Sequence, residues 1–148
     1  METYIDIVAH IIFSLLAGFI AWMLFAKGNK KWLTIALIFA LISGVVIDID
    51  HLFDYFLAVG PSFAYNLFIN RQTYLQTGKM YILLHAFEYV AVLIFLTLYA
   101  KNKKTKMIIT ALMLGLLFHL LTDIVLFSLP FTTYFITYRI ITNFNDAF

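Results

Sequence analysis

The sequence predicts an all-α integral membrane protein, a four-helix bundle in one domain over residues 1–148, and three observations predict it. Hydrophobic residues make up 64% of the chain and charged residues 12%, with a mean hydropathy of +0.95. That is more apolar surface than a water-soluble domain could hide. Four apolar runs are long enough, or nearly so, to cross about 30 Å of hydrocarbon at about 1.5 Å per residue. Seven of the ten basic residues are lysines gathered in two short gaps between those runs.

The first run is Ile7 to Ala26. The residues before it are acidic rather than basic and no small-residue cleavage motif follows it, so it is expected to stay in the mature protein. The second run starts at Trp32 and fades at about Ile47, but continues into Asp48-Ile49-Asp50-His51, so the span is expected to extend to about residue 50 with its end in a polar pocket. The third runs from Tyr81 to Ala100 and the fourth from Met107 to Leu129. Lys27, Lys30 and Lys31 separate the first two spans, and Lys101, Lys103, Lys104 and Lys106 the last two. The positive-inside rule makes both loops cytoplasmic and both termini extracytoplasmic, in a cell inner or plasma membrane.

The 52–79 connection mixes Phe53, Tyr55, Phe56, Phe63, Tyr65, Phe68 and Tyr74 with polar residues, which suits interfacial helices lying on the membrane as a partial lid. Gly60-Pro61-Ser62 is expected to break it in two. The aromatic, Thr-rich tail after Pro130 reads as a further interfacial or partly inserted helix. Gly18, Ser43, Gly44 and Gly115 are expected at close approaches between helices, and Trp22 and Trp32 as interface anchors. A formal charge of +2 with dispersed basic residues excludes a nucleic-acid partner.

The ionisable residues inside these spans carry the functional reading. An aspartate at mid-helix costs about 2.5–3.5 kcal/mol on insertion scales, so each needs a reason. They come in sets. His10 follows Asp6 by four residues; Asp48, Asp50, His51 and Asp54 cluster; His85 precedes Glu88 by three; His119 precedes Asp123 by four. Each spacing puts its members on one helical face, and the lysine-derived topology brings all the sets to a similar depth near the extracytoplasmic end. All four histidines of the chain are therefore expected to share one site. With no cysteine present, a metal would be held by imidazole and carboxylate, which suits zinc, iron or manganese. Asp6 and Asp54 read as solvated interfacial charges, and Arg71 and Arg139 as solvated surface arginines, with lipid headgroup binding the less favoured reading.

Asp48-Ile49-Asp50-His51 after an apolar span, an early His10, and Gly115-Leu-Leu-Phe-His119-Leu-Leu-Thr-Asp123 resemble the YdjM-like, LexA-regulated type of membrane-bound metal-dependent hydrolase. That family's pattern is an N-terminal histidine, Asp-x-Asp-His, a central histidine motif and Gly-x-x-x-His-x-x-x-Asp, so the resemblance covers nearly the whole chain. The central motif departs from the family's His-Arg-Gly-x-Thr-His-Ser. Here Leu84-His85-Ala86-Phe87-Glu88-Tyr89 lacks one histidine and the arginine.

The resemblance implies one or two divalent metals, zinc first among them, held between His10, Asp48, Asp50, His51, His85, Glu88, His119 and Asp123. It implies hydrolysis by a metal-activated water, with Glu88 or Asp50 as the catalytic base where not bound to metal. A site at the outer leaflet points to a lipid or lipid-linked substrate, such as a phosphoester. The alternatives are a metal transporter, a non-catalytic metal-binding membrane protein, and a haem or di-iron redox protein. Transport would need polar residues continuing to the cytoplasmic side, where the spans are apolar.

Overall fold

The computed structural model describes residues 2–62, 64, 66, 68 and 78–145. It is all-helical, with no strand among the described residues. In chain order the elements are α1 (Glu2–Phe25), α2 (Lys30–Gly44), a 3₁₀ turn (Val46–Ile49), α3 (Asp50–Val59), α4 (Phe87–Tyr99), α5 (Lys103–Phe127), a second 3₁₀ turn (Phe131–Tyr134) and α6 (Ile136–Ile141). Helices α1, α2 and α5 pack against one another, and α4 packs on α5.

Both lysine-rich loops use the same start signal. Asn29 accepts from the Trp32 amide at 3.3 Å and Asn102 from the Thr105 amide at 2.7 Å, giving α2 and α5 their N-caps. Three helical stretches, Tyr4–Phe25, Lys30–Leu57 and Lys103–Phe127, are long and apolar enough to cross a membrane. The second joins α2, the 3₁₀ turn and α3, so the predicted extension beyond residue 47 is present and runs further. Leucine, isoleucine and phenylalanine cover the outside of these helices, as in α1, where Ile12, Leu16, Phe19 and Leu24 are exposed. Apolar character all round a helix is the pattern of a lipid environment.

Small residues bring the helices together. Ala17, Ala21, Ala36, Ala40 and Ala111 are fully buried at the lysine-loop end of the bundle. A Cβ on Gly18 would lie 2.8 Å from Leu37 Cα and 2.9 Å from the Ala36 carbonyl oxygen, and one on Gly115 would collide with the Ala40 carbonyl oxygen and the Ser43 hydroxyl. With no hydrophobic drive between helices in lipid, close backbone approach of this kind supplies the packing energy.

One expectation is corrected. The third span is expected over residues 81–100, but its helix covers only Phe87–Tyr99, 13 residues, or about 20 Å. Residues 80–86 are not helical, because buried side chains take up their backbone groups, as described below. In the 52–79 connection, α3 continues the second spanning stretch and ends at Val59, where Gly60 adopts φ +91°. Phe63, Tyr65, Arg71 and Tyr74 lie outside the described residues.

Candidate metal centre

The site lies at the end of the bundle away from the lysine loops, and a local irregularity in α2 helps to build it. Val45 leaves helical geometry at φ −133° and ψ −48°, and the following turn is 3₁₀, with the Asp48 amide donating to Val45. The Gly44 carbonyl is thereby released from the helix ladder and accepts from His119 Nδ1 at 3.1 Å. A short 3₁₀ stretch inside an apolar helix is a recognised mark of a functional irregularity. Here it presents Asp48, Asp50 and His51 together.

Seven side chains converge in three overlapping groups: His10, His119 and Asp123; Asp48, His85 and His119; and Asp50, His51 and His85. In each group the potential ligand atoms lie within 4.8 Å of one another. His10, Asp50, His85, His119 and Asp123 are buried. Asp48 is the open member, its side chain 38% exposed against 16% for His51 and 9% or less for the others.

The ring orientations follow from hydrogen bonding. His10 Nδ1 lies 2.8 Å from the Asp6 carbonyl oxygen and 3.0 Å from the Asp6 carboxylate. His85 Nδ1 lies 3.1 Å from Asp50 Oδ2. Carbonyls and carboxylates accept, so Nδ1 carries the proton in His10, His85 and His119, and the Nε2 lone pair of each points inward.

Those inward atoms face other acceptors. His85 Nε2 and His119 Nε2 are 2.8 Å apart, and His10 Nε2 is buried without a hydrogen-bond partner, 3.2 Å from Asp123 Oδ1. Asp48 Oδ1 lies 3.3 Å from His85 Nε2 and 3.5 Å from both His119 Nε2 and His51 Nε2, and Asp123 Oδ2 lies 3.3 Å from His119 Nε2. With Nδ1 protonated, nitrogens and carboxylates so assembled repel unless protons on Nε2 or a cation among them supply the missing positive charge. Ligand atoms around a tetrahedral ion with bonds of about 2.0–2.1 Å are about 3.3–3.4 Å apart, and most of these separations are close to that. The donor set could hold a metal ion, and the Nδ1 atoms of three of its histidines face the carbonyl or carboxylate partners that metal-bound imidazole takes.

Glu88 is not brought to this cluster. Its carboxylate accepts from the Ile136 amide at 3.2 Å, the Thr137 amide at 3.0 Å and the Thr137 hydroxyl at 2.7 Å, so it caps α6. Lying in the first turn of α4, it points towards the tail rather than towards His85.

The reading of Asp6, Asp54 and Arg139 as solvated is overturned. Asp6 is 4% exposed and holds His10; Asp54 is 1% exposed and accepts from the Tyr81 amide at 2.6 Å. Arg139 is 3% exposed and donates to the Ile82 and His85 carbonyls, the latter at 2.9 Å. Burial pulls the Arg139 pKa down, and the negative charges of Asp50 and Glu88 oppose that. Sequence offered no signal for Arg139, since its partners lie 54 and 57 residues away.

No protein-family description, curated protein or solved structure matches this chain.

Proposed function

We propose that this chain is a membrane-embedded, metal-dependent hydrolase acting on a lipid or lipid-linked substrate, with zinc as its metal. One observation carries the reading: the Nε2 lone pairs of His10, His85 and His119 converge with two aspartates, and each Nδ1 proton is held from behind by Asp6, Asp50 or Gly44. A divalent ion in such a site supplies Lewis acidity and lowers the pKa of water towards about 7. The chain's own groups do the rest. Asp6, Asp50 and the Gly44 carbonyl hold three imidazoles in the metal-binding tautomer. The buried members exclude bulk water, and Asp48, the open member, marks the side of approach. Of the two carboxylates the sequence offers as a base, Asp50 is in the cluster and Glu88 is not. The resemblance to YdjM-like hydrolases supports the same reading through the Asp48-to-His51 and Gly115-to-Asp123 motifs.

The proposed topology has four crossings, with α4 and its non-helical lead-in together forming the third. The lysine loops are cytoplasmic, the termini and site extracytoplasmic, and the 52–79 connection and tail interfacial. Transport is disfavoured by packing. Towards the lysine loops the buried residues are alanines and Met107, with Ser14 and Thr110 the only buried polar side chains there among the described residues.

Elemental analysis of the detergent-purified protein tests the centre. Near-stoichiometric zinc, lost in both His119→Ala and Asp48→Ala, is expected, followed by zinc-dependent cleavage of lipid phosphoesters in mixed micelles. A folded protein that takes up no divalent metal would sink the reading. One that binds zinc without turning over any lipid ester would be a metal-binding protein instead.

A further inference from the structure

Backbone that is not helical at membrane depth must find every hydrogen-bond partner within the protein. Residues 80–86 are such a segment: the Met80 amide donates to the Phe144 carbonyl and the Ala86 amide to the Leu84 carbonyl, and four more of its backbone groups are taken by three buried charged side chains. Asp54 Oδ1 accepts from the Tyr81 amide at 2.6 Å and Asp50 Oδ2 from the Leu84 amide at 2.7 Å. Arg139 donates to the carbonyls of Ile82 and His85. The Asp50 oxygen that takes the Leu84 amide also faces His85 Nδ1 at 3.1 Å. His85 is therefore held at its ring by Asp50 and at its carbonyl by Arg139, four residues after the Asp54 anchor.

Arg139 and Asp54 contribute no ligand to the three groups, and both are costly. Arg139 Nε and Asp54 Oδ2 are buried without hydrogen-bond partners. Buried charges with incomplete partners are a poor source of stability compared with apolar side chains of similar volume. Their geometry has a different use, because a planar guanidinium can grip two carbonyls in a fixed relation that a single ammonium cannot.

We infer that Arg139 and Asp54 are positioning residues of the metal centre, acting through the 80–86 segment to hold His85 at its ligating geometry. The tail thus completes a site to which it gives no ligand. This rests on the metal-site part of the proposed function and not on hydrolysis.

The test uses the full-length purified protein and Co²⁺ as a spectroscopic probe. Arg139→Met is expected to weaken Co²⁺ binding about 10–100-fold and to alter the visible absorption of the bound ion, with Arg139→Lys intermediate. In a His85→Ala background the same Arg139→Met change should cost nothing further, since its effect runs through His85. Wild-type affinity and spectrum in Arg139→Met, or an equal loss with and without His85, would overturn the inference while leaving the metal centre intact. Wild-type protein that binds no Co²⁺ would overturn the metal reading itself. Asp54→Ala removes one anchor only, carries the same expectation, and supplies the test if Arg139→Met does not fold.

Discussion

At the scale of single residues, the side chains behind the cluster matter as much as those in it. Asp6 lies outside the three groups and holds His10 Nδ1 from behind, its carboxylate at 3.0 Å and its carbonyl oxygen at 2.8 Å. Asp6→Asn keeps an acceptor but removes the charge, and the expected result is metal affinity lowered about 10-fold, towards the weaker end of outer-shell effects, with the fold retained. Isothermal titration with zinc measures it, and unchanged affinity would remove Asp6 from the site. Glu88 makes the opposite case. Glu88→Ala should leave zinc stoichiometry untouched and cost about 0.5–2 kcal/mol through the lost cap on α6; loss of zinc there would return Glu88 to the ligand set. The spacing of His85 and Glu88 is helical in sequence, but Ala86 is extended at φ −144° and ψ 132°. The two therefore do not share a helical face.

At the scale of elements, the second span combines two requirements that pull apart. It must approach α5 closely, which Gly44 and Gly115 allow, and it must bend out of α-helical bonding just beyond that contact so that Asp48 and Asp50 turn inward. Gly115→Ala should be destabilising by about 1–3 kcal/mol, because the clash is with the Ala40 carbonyl, a backbone atom, as well as with the Ser43 hydroxyl. Thermal unfolding in detergent reads this directly; a variant as stable as wild type would mean the helices have room to part. The small residues and the lysine loops were legible in sequence, since each acts through local geometry or composition. The short α4 and the non-helical residues 80–86 were not, because the run Tyr81 to Ala100 reads as one span and the helical spacing of His85 and Glu88 agrees with it, while the partners that hold 80–86 out of helix lie far away in the chain.

At the scale of the molecule, the centre joins every long helix. His10 comes from α1, Asp48 and Asp50 from the second spanning stretch, His85 from the lead-in to α4, and His119 and Asp123 from α5. Anything that binds this assembly and not the unfolded chain stabilises it by mass action, about 2.7 kcal/mol at 100 times Kd. A chelator should therefore lower the Tm by roughly 5–10 °C, and an unchanged Tm after demonstrated metal removal would mean the helices hold without the ion. Orientation has its own measurement, because the chain has no cysteine of its own. Single cysteines at Asn29 and Asn102 should resist a membrane-impermeant thiol reagent in intact cells, while one placed at Thr3 should react; the reverse pattern would invert the proposed topology.

By itself the sequence determined the all-helical, membrane-compatible class and the residue types able to hold a metal. Both follow from composition and from spacings of three or four, which act within one helix. Only the tertiary structure decided which carboxylate serves which histidine. Asp50 reaches His85 across 35 residues, and Asp123 on α5 reaches His10 on α1, the first and last of the long helices. Only the fold, too, made Arg139 a buried clamp rather than a surface charge. Partners that meet through packing leave no period in the chain, and nothing short of the packed helices could have paired them.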